Sequence, residues 1–134
     1  MKKKKDILFL CQFFHPEFVS SATLPFDTAL SLTKAGLKVD VLCGYPKEYN
    51  VTDKVPLKET YMNIDIKRLK YIQLKRSNFI GRIINYVSFT FVVALRFMEM
   101  KRYESIIVYS NPPVLPLIAA LANKFFNTKV IFVS

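Results

Sequence analysis

Asp6-Ile7-Leu8-Phe9-Leu10-Cys11 is an unbroken run of apolar side chains behind a single acid. A strand with one wet face alternates polar and apolar residues. This one does not, so it reads as a strand buried on both faces, as inside a parallel sheet. Four later segments have strand character. Leu37 to Cys43 alternates and then turns apolar, and Ser105 to Tyr109 is β-branched. Thr128 to Val133 is a fifth strand. Asn63 to Tyr71 is a third, with a basic flank that suits a position near a sheet edge.

Between the first two strands, Ala22, Phe26, Ala29, Leu30 and Thr33 recur at helical spacing behind Ser20 and Ser21, both good N-cap residues. Pro25 is expected near the first turn, where a missing N–H costs little. Lys34-Ala35-Gly36 reads as the helix stop. Lys47 to Met62 has no clear period and reads as a loop. Ser77 to Arg102 reads as one long helix. Ile80, Ile83, Ile84, Val87, Phe91, Leu95 and Met98 form its apolar stripe, widened by Phe89, Val93 and Phe97. That face has two uses open to it: packing on the sheet, or meeting an anionic membrane surface. Ser110-Asn111-Pro112-Pro113 is a sharp loop, and Val114 to Phe126 a short apolar helix. The order β-α-β-β-α-β-α-β with apolar central strands predicts an α/β fold of doubly wound, Rossmann-like type.

The chain has 134 residues, 51% of them hydrophobic, and three glycines. Such a length suits one domain, and such a composition excludes disordered and collagen-like classes. No apolar stretch reaches the ~18 residues of a membrane-spanning helix. Lys2 to Lys5 before an apolar run mimics a signal peptide, but Asp6 and Gln12 interrupt it and His15-Pro16-Glu17 replaces a small-residue cleavage site. Cys11 and Cys43 each end an apolar run and read as buried thiols of a reducing compartment. With no CxxC spacing and one histidine, no metal site is expected.

Twenty Lys and Arg against ten Asp and Glu give a net charge of +10, which attracts anions. Lys67, Arg68, Lys70, Lys75, Arg76 and Arg82 cluster as a candidate membrane or anion patch, or else form an ordinary solvated face. In a doubly wound sheet, ligands bind beyond the carboxyl ends of the strands at the switch point, here between the first strand and Ser105–Tyr109. The loop through His15, Glu17, Ser20 and Ser21, the turn at Gly44-Tyr45-Pro46, and the Ser110-Asn111 loop should converge there. Ser20 and Ser21 either cap their helix or offer its N-terminus to a phosphate or carboxylate. His15 is either a base or phosphate ligand, or incidental.

These residues resemble family 4 (group 1) glycosyltransferases. Ile7-Leu8-Phe9-Leu10-Cys11-Gln12-Phe13-Phe14-His15-Pro16-Glu17 is similar to that family's opening strand and loop. Ser20 to Gly36 and Leu37 to Leu42 resemble its first helix, glycine stop and second strand. Cys43-Gly44-Tyr45-Pro46 is similar to its second-strand turn, and Asn85-Tyr86-Val87-Ser88-Phe89 and Ser110-Asn111-Pro112-Pro113 resemble the branch that adds sugars to lipid-linked glycan precursors. The resemblance covers nearly the whole chain and rests on the order and spacing of its motifs.

It implies the N-terminal, acceptor-side half of a GT-B fold. A retaining transferase would use a nucleotide-sugar as substrate, with no cofactor and no catalytic metal. The acceptor would be lipid-linked or a polysaccharide, at the cytoplasmic face of a bacterial membrane. Ser20 and Ser21 stand where the family has glycines near the donor phosphate. His15, Glu17, Gly44, Tyr45, Ser110 and Asn111 would line the acceptor cleft. The donor domain with its paired glutamates lies outside these residues. The chain is therefore expected to be an incomplete N-terminal domain, inactive alone, whose uncovered apolar surface favours a homodimer. The rival expectation is a complete non-catalytic basic α/β module that binds anionic lipid or nucleic acid.

Overall fold

The computed structural model describes residues 5–12, 14, 20–45, 56–72, 78–109 and 115–133. In chain order these form β1 (Lys5–Leu10), α1 (Ser20–Lys34), β2 (Val39–Gly44), β3 (Lys58–Tyr61), β4 (Ile64–Leu69) and α2 (Phe79–Ala94). A 3₁₀ helix (Phe97–Arg102), β5 (Tyr103–Tyr109), α3 (Leu115–Phe126) and β6 (Lys129–Val133) follow. The six strands make one sheet in the order β3-β4-β2-β1-β5-β6. Every neighbouring pair is parallel except β3 and β4. The chain is thus α/β, a mostly parallel sheet flanked by helices.

β1 is central, with Ile7 opposite Val39 of β2 on one side and Ser105 of β5 on the other. Side chains alternate across a strand. Leu8 and Leu10 therefore join Leu42, Ile106 and Val108 on one face, while Ile7 and Phe9 join Val41, Ile64 and Ile66 on the other. Two covered faces are why the sequence run has no polar beat. Each fully buried side chain of this size contributes roughly 1.5–3 kcal/mol. Cys11 and Cys43 are both buried, and neither is in a disulfide.

One face of the sheet is covered by α1 and the other by α2, the 3₁₀ helix and α3. α1 seats Ala29, which is fully buried, and ends as its sequence predicts. Gly36 adopts φ 95°. Its N–H donates to the Thr33 carbonyl at 3.0 Å, and the Leu37 N–H donates to the Leu32 carbonyl at 3.1 Å. These are the paired bonds of a Schellman stop. α1 begins at Ser20, so Pro25 lies inside the helix rather than in its first turn and forfeits one backbone bond.

Two more expectations need correction. The 47–62 segment contains a strand, β3, which pairs antiparallel with β4. Its turn uses Met62 at φ 52° and Asn63 at φ 67°, so the hairpin carries no glycine to announce it. β4 lies next to the edge strand, near the edge as its basic flank suggests. The second concerns the long helix. α2 starts at the Asn78 cap, whose Oδ1 accepts the Ile80 N–H at 3.0 Å, and breaks after Ala94. The Arg96 N–H donates to the Val93 carbonyl at 2.9 Å, a three-residue bond that tightens the chain into the 3₁₀ helix.

The buried stripe of α2 is Gly81, Asn85, Phe89 and Val93, at intervals of four. Ile80, Ile83, Val87, Phe91, Leu95 and Met98, most of the stripe read from the sequence, face outward. Within the 3₁₀ helix Met100 enters the core, and Phe97 packs against Phe126 of α3 with ring centroids 4.9 Å apart. Among the described residues, no helix is long and apolar enough to cross a membrane.

Candidate functional site

The strand order turns at β1, whose two neighbours run to β2 on one side and β5 on the other. The carboxyl ends of β1, β2 and β4 meet beside that turn. The Gly44 N–H donates to the Gln12 carbonyl at 2.9 Å, and the Tyr45 N–H donates to the Leu69 carbonyl at 2.9 Å. The Gln12 amide donates to the Tyr71 hydroxyl at 3.2 Å. The Tyr71 ring stands on Phe89 of α2 with centroids 5.2 Å apart.

Gly44 is required here by close approach. A Cβ on it would lie 2.6 Å from the Tyr71 ring and 2.9 Å from the Gln12 carbonyl oxygen. The backbone contact is the harder one, since it cannot swing away. Gln12 is 1% exposed and its Oε1 has no hydrogen-bond partner among the described residues. A buried amide oxygen without a donor is costly, and such groups are rare outside functional sites or hydrated niches.

Of the expected cleft residues, the structure brings Gly44 and Tyr45 to this edge. Ser20 and Ser21 form the start of α1, and their side chains lie outside the described residues, as do His15, Glu17, Ser110 and Asn111. The sequence reading missed Gln12 and Tyr71 as members of the cluster. One signal was present for Gln12: a polar residue directly after a fully buried strand.

Among the described residues, the cationic patch is only partly at the surface. The Arg68 guanidinium is fully buried, donating to the Pro56 carbonyl at 2.8 Å and pairing with Glu59. Lys67 is bound to Glu99 at 3.0 Å. Lys70 is exposed, its ammonium 5.7 Å from the Tyr45 ring centroid, and Arg82 is exposed on α2. Lys75 and Arg76 lie outside the described residues.

A second polar region lies at the opposite, amino edge of the sheet. A cavity of about 400 Å³ is lined by Asp40, Thr60, Asp65, Lys67, Glu99 and Tyr103, among others. Its charges answer one another. Lys38 meets Asp65 at 2.7 Å, the Thr60 hydroxyl donates to Asp65 at 2.7 Å, and the Tyr103 hydroxyl donates to Asp40 at 2.6 Å. Burial, then the hydrogen bond to Asp40, hold the Tyr103 phenol well above its ordinary pKa. Burial likewise raises that of Tyr109. The network ties β2, β3, β4 and β5 together. Among the described residues no cluster of His, Cys, Asp and Glu suits a metal ion. No protein-family model matches the chain, and a search of curated proteins finds no match.

Proposed function

We propose that the chain is the N-terminal, acceptor-side part of a retaining glycosyltransferase of family 4, with a Rossmann-like sheet of the GT-B kind. In this reading a second domain binds the nucleotide-sugar, and this one receives a lipid-linked or polysaccharide acceptor at the cytoplasmic face of a bacterial membrane. No cofactor or metal takes part. The observation that supports it is the reversal of strand order at β1, with Gln12, Gly44 and Tyr71 gathered at the carboxyl edge. Ligands of doubly wound sheets bind at such a place.

The roles follow from the chemistry. The first turn of α1 offers N–H groups with no intrahelical partner, which suit the donor phosphates near Ser20 and Ser21. The buried Gln12 Oε1 keeps an acceptor beneath the cleft that no described residue fills. His15, Glu17, Ser110 and Asn111 would complete the cleft.

The test has two arms. Titrating the chain with a polyprenyl-phosphate-linked sugar should shift the amide resonances of Gln12, Gly44 and Tyr45. Labelled nucleotide-sugar should give no transfer with this chain alone. Unmoved resonances would overturn the acceptor role, and transfer by the chain alone would overturn the division of labour. The rival reading, a basic binding module without catalysis, draws its support from the net charge of +10. Duplex DNA binding with a steep salt dependence would favour it.

A further inference from the structure

The helices on the face of the sheet opposite α1 turn apolar side chains to solvent. On α2, Ile80, Ile83, Val87, Phe91 and Leu95 are exposed, from 43% at Ile83 to 68% at Leu95. On α3, Leu117, Leu121 and Phe125 are 48–65% exposed. The two helices share one core cluster, and Phe97 of the 3₁₀ helix between them in the chain packs on Phe125 and Phe126 of α3. So many exposed apolar side chains along one face of a helix mark a contact site.

The charge around it selects the partner. Neither α2 nor α3 contains an acidic residue. Arg82 on α2, Arg96, Lys101 and Arg102 just beyond it, and Lys124 on α3 are all exposed. Glu99, the acid of the 3₁₀ helix, is already held by Lys67 and Arg96. A protein partner with an apolar core would have to desolvate those cations or pair each of them. A bilayer accepts both classes at once: acyl chains take the Ile, Leu and Phe side chains, and anionic headgroups take the Arg and Lys side chains, which snorkel outward. α2 has 16 residues, about 24 Å at 1.5 Å per residue, which is short of the ~30 Å hydrocarbon core and fits a helix lying flat.

α2 also has a direction. It descends towards the amino edge, where Met100 and Tyr103 complete the core cluster, while Phe89 is already level with Gly44 at the carboxyl edge. The turns before Phe89 therefore stand beyond the sheet, beside the cluster of Gln12, Gly44 and Tyr71.

We propose that the outer face of α2, with the apolar side chains of α3 in support, docks in-plane on a bilayer carrying anionic phospholipid, and holds the carboxyl-edge cleft at headgroup level. The docking stands on the surface alone. Its purpose, presenting the cleft to a lipid-linked acceptor, rests on the transferase reading.

Flotation of the full chain tests it, using vesicles of phosphatidylcholine with or without a third of phosphatidylglycerol. The chain should float with the mixed vesicles, less so at high salt, and stay down with phosphatidylcholine alone. The double variant V87E/F91E, altered only at exposed positions, should keep its melting temperature and lose roughly tenfold or more in vesicle affinity. Reversing one cation, R82E, should weaken binding only to the anionic vesicles. Equal binding by V87E/F91E and wild type, or no flotation with phosphatidylglycerol, overturns the proposal. So does a dimer in light scattering that the same pair abolishes, since a second copy would then be the occupant. The vesicles contain neither glycan acceptor nor nucleotide-sugar, so this result does not depend on the outcome of the transfer assay.

Discussion

The two helical layers cover the same sheet with different chemistry. α1 has Leu24 as its exposed large hydrophobic, carries Asp27 and Lys34, and closes on a glycine stop. α2 and α3 bury Phe89, Val93, Leu115 and Ile118, yet show an equally apolar outer surface. One layer has a single apolar side and behaves as a lid on a core. The other has two, and only one of them is spent on the sheet. Apolar content alone therefore does not say which way a helix faces. The decision on α2 lies with the four-residue row through Gly81 and Asn85, where small or hydrogen-bonding side chains let the backbone approach.

The sharpest way to break that contrast is a pair of substitutions two residues apart. Phe89→Ala removes a fully buried ring and should cost about 3–5 kcal/mol in denaturant unfolding. Phe91→Ala, at a ring 63% exposed, should stay within about 0.5 kcal/mol. Equal losses would mean that the outer stripe is core after all. Next comes Gly44→Ala, whose new methyl meets both Tyr71 and the Gln12 carbonyl. A cost of about 1–3 kcal/mol is expected, along with loosened packing of α2 against Tyr71, read as faster amide exchange around Phe89.

Tyr103→Phe tests the polar end of the same layer. It removes the donor to Asp40 and should cost about 1–2 kcal/mol at neutral pH. The pH dependence has a definite sign. A phenol whose folded pKa is raised adds stability that is complete below its ordinary value of 10.0 and is lost as pH climbs past it. Wild type should thus weaken above about pH 10, and Y103F should weaken less steeply there, with Tyr109 supplying what slope remains. The smallest effect concerns the α1 layer, where Tyr61 of the β3–β4 hairpin packs on Phe26 with centroids 5.9 Å apart. Met62→Gly relieves a positive φ and should raise stability by about 0.5–1 kcal/mol, visible as a higher melting temperature.

The sequence carried the central fold clearly, because β1, β2 and β5 are buried on both faces and leave no other reading of their apolar runs. The stop at Gly36 was equally legible, since φ 95° is a glycine conformation. β3 was not legible: its residues are mostly exposed, and its Met62-Asn63 turn lacks the usual glycine. Nor could composition say that Arg68 turns inward, because its partner Glu59 belongs to the strand the sequence hid. At the carboxyl edge Gly44 was anticipated, while Gln12 and Tyr71 were not, since their bond joins residues far apart in the chain. A single sequence does not show such pairings.

The position of β1 bears on how the chain assembles. β4, β2 and β1 can come together from the first half of the sequence. The other edge of β1 waits for Ser105 to Val108, about a hundred residues later. Closing so long a loop is slow relative to local pairing. During synthesis at ~5–20 residues per second, the most apolar strand of the protein stays open on one side for several seconds. Chaperone capture, or misassembly with another nascent copy, should concentrate on that interval and on residues 7–10.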